Sequence, residues 1–206
     1  MIFEMRTYTL KHGTLPEVEE RFGSALPGRV RLSPLGGFWR TEVGTLNQII
    51  HIWPYESVEE RGRIRAEAIK QGVWPPKIQE FLVDMETKIL NAAPFSPPFE
   101  ERQLGSLYEF RTYTYAPGCI PRMLDAWGES IGARTKLSPL AAAGYTEIGP
   151  LNQWVHVWAY KDGAERQRVR EEAVRQGIWP PRRTPDVVIL KQENILAVPA
   201  RFSPLR

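Results

Sequence analysis

Leu46-Asn-Gln-Ile-Ile-His-Ile-Trp-Pro-Tyr55 returns later in the chain as Leu151-Asn-Gln-Trp-Val-His-Val-Trp-Ala-Tyr160. Both stretches alternate. Asn47, Ile49, His51, Trp53 and Tyr55 share one face; Gln48, Ile50 and Ile52 share the other, which is a strand of period two. Working outward, Glu4-Met-Arg-Thr-Tyr-Thr9 recurs as Glu109-Phe-Arg-Thr-Tyr-Thr114. Leu32-Ser-Pro-Leu35 recurs as Leu137-Ser-Pro-Leu140, and Gln71-Gly-Val-Trp-Pro-Pro76 as Gln176-Gly-Ile-Trp-Pro-Pro181. Between Glu4 and Pro76 about 33 of 73 positions match without a gap, a period long enough for two copies of a small domain rather than a solenoid. The sequence predicts repeats over 1–100 and 101–206.

Each copy reads as strand, helix, strand, strand, helix, strand. Glu4, Arg6 and Tyr8 alternate with Met5, Thr7 and Thr9 in the first strand. Thr14-Leu-Pro16 is a helix start, with proline in the first turn. Val18, Phe22 and Ala25 or Leu26 follow at helical spacing. Gly28 to Pro34 reads as a loop, because the residue before proline resists the helical region. Ser57-Val-Glu-Glu60 and Asp162-Gly-Ala-Glu165 are capping boxes. Gly72 and Gly177 sit where a left-handed residue ends a helix. The order β-α-β-β-α-β is the ferredoxin-like unit. The expected class is α+β: two tandem units packed sheet to sheet as an intrachain dimeric α/β barrel.

Composition narrows the function. The 206 residues carry a net charge of +3 with mixed signs, and no basic stripe for nucleic acid is evident. No apolar run approaches the ~18–20 residues that cross a bilayer, so no membrane partner is expected. Met1-Ile-Phe-Glu-Met-Arg6 lacks the pattern of a signal peptide, and Cys119 is the only cysteine, so a cytoplasmic location is expected. Thr14 stands at the matching position, which excludes a catalytic thiol needed in both halves.

Buried charges need partners, so Glu4, Arg6 and Tyr8 are expected on the sheet face away from the helices, with Ile50 and Ile52 beneath them. Asn47, His51, Trp53 and Tyr55 then join that open face. Glu109, Arg111, Tyr113, Asn152, His156, Trp158 and Tyr160 do the same in the second copy. His51 and His156 are the candidates for chemistry, since imidazole titrates near neutrality. The other twelve residues are candidates for ligand binding. No metal cluster is present, although haem held by one histidine remains allowed. Arg61/Arg65 and Arg166/Arg170 recur at i, i+4 and read as surface charge, with a carboxylate clamp as the alternative. The halves diverge at Phe38/Ala143, Trp39/Gly144, Arg40/Tyr145 and Ile49/Trp154, a trade expected to open a pocket on one side.

Glu-x-Arg-Thr-Tyr, Leu-Asn-Gln-x-x-His-x-Trp-x-Tyr and the arginine-rich helix together resemble the NIPSNAP family over both repeats. The resemblance implies the dimeric α/β-barrel superfamily, which includes cofactor-free monooxygenases, haem-degrading enzymes and isomerases. Its recurring Arg, Asn, His, Trp and Tyr correspond to Arg6, Asn47, His51, Trp53 and Tyr55 and to their second-copy partners. The leading expectation is a protein that binds or converts a small organic molecule in a barrel cavity, by monooxygenase-like or haem-related chemistry, with a homo-oligomer compatible. The alternative is a non-enzymatic protein-interaction module.

Overall fold

The computed structural model describes residues 1–181 and 186–206. The first copy runs β1 (Ile2–Leu10), α1 (Leu15–Arg29), β2 (Gly37–Val43), β3 (Gln48–Tyr55), α2 (Val58–Lys70) and β4 (Leu82–Ala92). The second runs β5 (Leu107–Tyr115), α3 (Ile120–Arg134), β6 (Leu140–Ile148), β7 (Gln153–Tyr160), α4 (Gly163–Arg175) and β8 (Ile189–Pro199). All eight strands join one antiparallel closed barrel in the order β1-β3-β2-β8-β5-β7-β6-β4. Each copy alone is a four-stranded sheet with two open edges. The two seams, β2 on β8 and β4 on β6, close them (Thr41 opposite Ala197, Asn91 opposite Tyr145), which removes edges that would otherwise invite foreign strands.

Local signals set the elements. Ser57 Oγ accepts from the Glu60 amide at 3.2 Å, while Glu60 returns to the Glu56 amide rather than that of Ser57. The box is thus one residue wider than expected. Thr14 sits at the start of α1, but its hydroxyl donates back to the Lys11 carbonyl and caps nothing. Gly72 and Gly177 take φ of +67° and +65° as predicted. Helix α1 runs through Pro27 and Gly28 to Arg29, where the sequence suggested a loop.

The core corrects the assignment of faces. Phe3, Met5, Trp39, Ile50, Ile52, Leu90, Tyr108, Phe110, Val155 and Val157 fill the barrel interior as one apolar cluster drawn from both copies. Tyr8, Ile49, Trp53 and Tyr55 instead pack beneath the helices, with Val18, Phe22 and Leu26 of α1. The period-two grouping holds, but its orientation is reversed. The barrel interior is packed by this cluster, and a recess of about 560 Å³ enters it at one mouth, lined by Met5, Thr7, Ile50, Lys88, Phe110 and Thr112 among others.

The tails after β4 and β8 cross between copies. Ala93-Pro-Phe-Ser-Pro97 and Ala200-Arg-Phe-Ser-Pro204 carry the same pattern. Phe202 lies 4.9 Å from the Phe38 ring in the first copy. Phe95 lies 6.0 Å from Trp154 and 6.5 Å from Trp127 in the second. Each unit is therefore completed by the other's tail.

Candidate functional site

Strand alternation brings Glu4, Arg6 and Tyr8 of β1 beside His51, Trp53 and Tyr55 of β3, since Arg6 stands opposite His51 and Glu4 opposite Trp53. Glu4 is fully buried. Its Oε1 accepts from Arg6 at 2.7 Å, Arg61 at 2.6 Å and Thr87 at 3.0 Å, and Arg65 approaches Oε2 at 3.8 Å. The carboxylate clamp, the alternative reading of Arg61 and Arg65, is what α2 supplies, and its anion is the protein's own. That is why a charge expected in the open lies under helices: three guanidiniums reach it there. Burial raises the Glu4 pKa, but the Arg61 hydrogen bond and the charges of Arg6, Arg61 and Arg65 outweigh it and hold the carboxyl down to about 2.

The second copy repeats the geometry. Glu109 is held by Arg111 at 2.8 Å, Arg166 at 2.6 Å and Asn194 at 3.1 Å, with Arg170 at 3.8 Å. Arg6 and Arg111 also donate through Nε to the Tyr8 and Tyr113 hydroxyls at 2.6 and 2.7 Å.

The histidines are locked by tryptophan. Trp53 Nε1 donates to His51 Nδ1 at 2.7 Å, and Trp158 Nε1 to His156 Nδ1 at 2.8 Å. An indole nitrogen only donates, so each Nδ1 is bare and each Nε2 carries the proton. Burial, followed by the nearby Arg6 charge, pushes the His51 pKa down to about 3. Burial with Arg111, Arg134 and Arg170 lowers that of His156. Both imidazoles are neutral at physiological pH, which leaves them hydrogen-bond donors through Nε2 rather than general bases. Haem does not fit this arrangement. An iron-ligating Nε2 must be bare with Nδ1–H donating, and the indole N–H already points at Nδ1.

Asn47 and Asn152 are not part of the cluster. They precede β3 and β7 in the turns, with φ of +56° and +57°, and their carbonyls accept from the Leu10 and Tyr115 amides at 2.8 and 2.9 Å. Asparagine tolerates the left-handed region better than most residues, so the backbone accounts for its recurrence.

Other twice-kept residues belong to the site. Arg29 and Arg134, at the ends of α1 and α3, are 2% exposed. They lie 4.2 and 4.0 Å from the Trp53 and Trp158 ring centroids and donate to the Tyr55 and Tyr160 hydroxyls at 2.9 and 3.1 Å. Trp74 and Trp179, each before a cis proline, pack edge-on against Trp53 and Trp158. Their recurrence was the available signal. Only their packing against Trp53 and Trp158 shows what they do.

Two matched pockets open here, on the helix side of the sheet. In the first copy about 240 Å³ lies between Arg6, Tyr8, Arg65, Ile69, Trp74 and Pro75. In the second about 600 Å³ lies between Arg111, Arg134, His156, Arg170, Val174 and Trp179. The expected opening at β6 is absent. Trp154 packs against Trp127 at 4.9 Å and takes the room that Phe38 fills in the first copy, while a Cβ on Gly144 would meet the Phe3 ring at 2.7 Å. Among the described residues no group of three metal-ligating side chains occurs, and no helix is long and apolar enough to cross a membrane.

A closed barrel of two fused ferredoxin-like units, with its polar cluster beneath the helices, defines a dimeric α/β-barrel protein in a single chain. The chain belongs to the NIPSNAP family, whose model matches twice, over residues 3–97 and 108–204. It is 28% identical to Protein NipSnap homolog of Dictyostelium discoideum, over 86% of this chain and 78% of that one. It is also 28% identical to Protein NipSnap homolog 3A of Homo sapiens, over 100% of this chain and 86% of the relative. A monooxygenase-like protein of Lactobacillus acidophilus superposes with a TM-score of 0.63 at 9% identity, covering 96% of this chain and 92% of its own. At that identity the likeness concerns the fold. No specific activity is established for the family match.

Proposed function

We propose that the chain binds and converts a small organic molecule in the helix-side pocket of the second copy. One observation carries this reading: the pocket of about 600 Å³ is walled by Arg111, Tyr113, Arg134, His156, Trp158 and Arg170. Apolar and aromatic walls with a few convergent polar groups are typical of small-molecule sites. The imidazole tautomer argues against the haem-related branch. Cofactor-free, oxygenase-like conversion stays within the proposal, as does a cytoplasmic setting. Val174 lines the pocket and is largely exposed, as is its counterpart Ile69 in the first copy. Compounds that raise the melting temperature of the natural chain are expected to lose that effect in Val174→Trp and to keep it in Ile69→Trp. Ligands that still stabilise Val174→Trp would place binding elsewhere.

The interaction-module reading draws on a different observation. Val83, Met85, Ile189 and Leu190 are exposed at the ends of β4 and β8, where these strands extend past their pairing with β6 and β2. This favours association with a second copy. Concentration-dependent sedimentation that disappears in Leu190→Asp would support it; a monomer at all concentrations would remove it.

A further inference from the structure

Charge sets the second-copy pocket apart from an ordinary apolar cleft. Arg111, Arg134, Arg166 and Arg170 surround one buried carboxylate, that of Glu109. Among the described residues no carboxylate lies within salt-bridge distance of Arg134; it holds Ser138 Oγ at 2.8 Å and the Tyr160 hydroxyl at 3.1 Å. Arg170 reaches Glu109 only at 3.8 Å and keeps 42% of its side chain exposed, so its guanidinium fork is scarcely used. Glu171 lies on the rim, and Arg175 is paired with Glu172. The cations remain in excess. The first copy keeps the same ratio, with Arg6, Arg29, Arg61 and Arg65 around Glu4. A staple for one glutamate needs fewer positive charges than this. Like charges gathered in a partly desolvated site repel strongly, and an incoming anion relieves that repulsion.

Resting on the pocket reading above, we infer that the ligand is an organic carboxylate with a flat apolar body. The Arg170 fork, open toward the pocket, matches a carboxylate in bidentate fashion. Val174, Trp158, Trp179 and Pro180 supply walls for the body. No glycine-rich loop of backbone amides is present to cradle a phosphate.

The test uses the full chain and calorimetric titration with 1-naphthoate and its neutral isostere 1-naphthamide. Naphthoate is expected to bind at least about tenfold more tightly, the discrimination that one charged hydrogen-bonded contact supplies. Arg170→Gln should level the two affinities at an unchanged melting temperature, and Arg170→Lys should restore only part of the preference because it lacks the fork. Equal binding of both compounds by the natural chain would overturn the carboxylate inference and leave the pocket reading standing. Binding of neither at millimolar concentration by the folded chain would overturn both.

Discussion

The Phe38 amide donates to the Ser203 hydroxyl at 3.0 Å, across 165 residues of chain. Its counterpart is the Ala143 amide, which donates to Ser96 Oγ at 3.1 Å. Each pairing ties one copy's second strand to the other copy's tail, just as Phe202 and Phe95 enter the opposite helix–sheet layer. The candidate pocket of each half is therefore backed by the other half. Ser203 also donates to the Leu205 carbonyl at 2.8 Å and is fully buried. Ser203→Ala orphans the Phe38 amide, a loss of about 1–3 kcal/mol. Urea unfolding should show that loss as a lower midpoint with an unchanged slope. No change in midpoint would mean that water replaces the hydroxyl and that the tail is only loosely docked.

Glu4 is expected to matter far more than the outermost of its arginines. Replacing a buried, paired charge leaves its partners uncompensated, at a cost of about 3–5 kcal/mol. Glu4→Gln should fall in that range, because Arg6 and Arg61 lose their shared anion. Arg65 is about one-third exposed and 3.8 Å away, so Arg65→Ala should cost under about 1 kcal/mol. Chemical denaturation of both variants checks the ranking. Equal losses would show that the long contact is as strong as the short ones.

Asn47 offers a test of why a residue is kept twice. At φ +56°, Asn47→Gly should be close to neutral, whereas Asn47→Ala should lose about 1–2 kcal/mol from the left-handed backbone. The Asn152 pair should behave alike. If the glycine variants instead lost ligand binding at full stability, the side chains would belong to the site after all.

The sequence carried the fold almost completely, because alternation, capping residues and helix-ending glycines are local signals that the repeat states twice. It could not orient the sheet. Period two groups Glu4 with Arg6 and Tyr8, yet which side the helices cover depends on Arg61 and Arg65, remote in sequence. Without those partners a buried Glu4 is costly, so the sequence pattern alone points this face away from the helices, and the structure turns it toward them. The tail exchange stayed hidden for a different reason. Ala-x-Phe-Ser-Pro recurs two residues out of step with the rest of the repeat, and its partners lie in the opposite copy. Gly144 shows the same limit: it reads as lost volume, but it is the space into which Phe3 fits.

Acid should unfold the protein in two overlapping stages, and the signs follow from the buried groups. His51 has a folded pKa of about 3 against an ordinary 6.5, and that of His156 is also lowered. Below pH 6.5 the unfolded chain takes up protons that the native state refuses. Stability is thus fully present above pH 6.5 and falls as pH drops toward 3. Glu4 has a folded pKa of about 2 against 4.5, and Glu109 shifts the same way. Their contribution is complete above pH 4.5 and is lost as pH falls toward 2. Gln at positions 51 and 156 keeps an acceptor for the Trp53 and Trp158 indoles but does not titrate. In the His51→Gln/His156→Gln double variant, unfolding free energy should stay level from pH 6.5 to about 4.5 and decline only below that. The natural chain should already slope downward across the upper window. Identical slopes in the two proteins would mean that the imidazoles charge freely in the native state, and the neutral-donor assignment would fail.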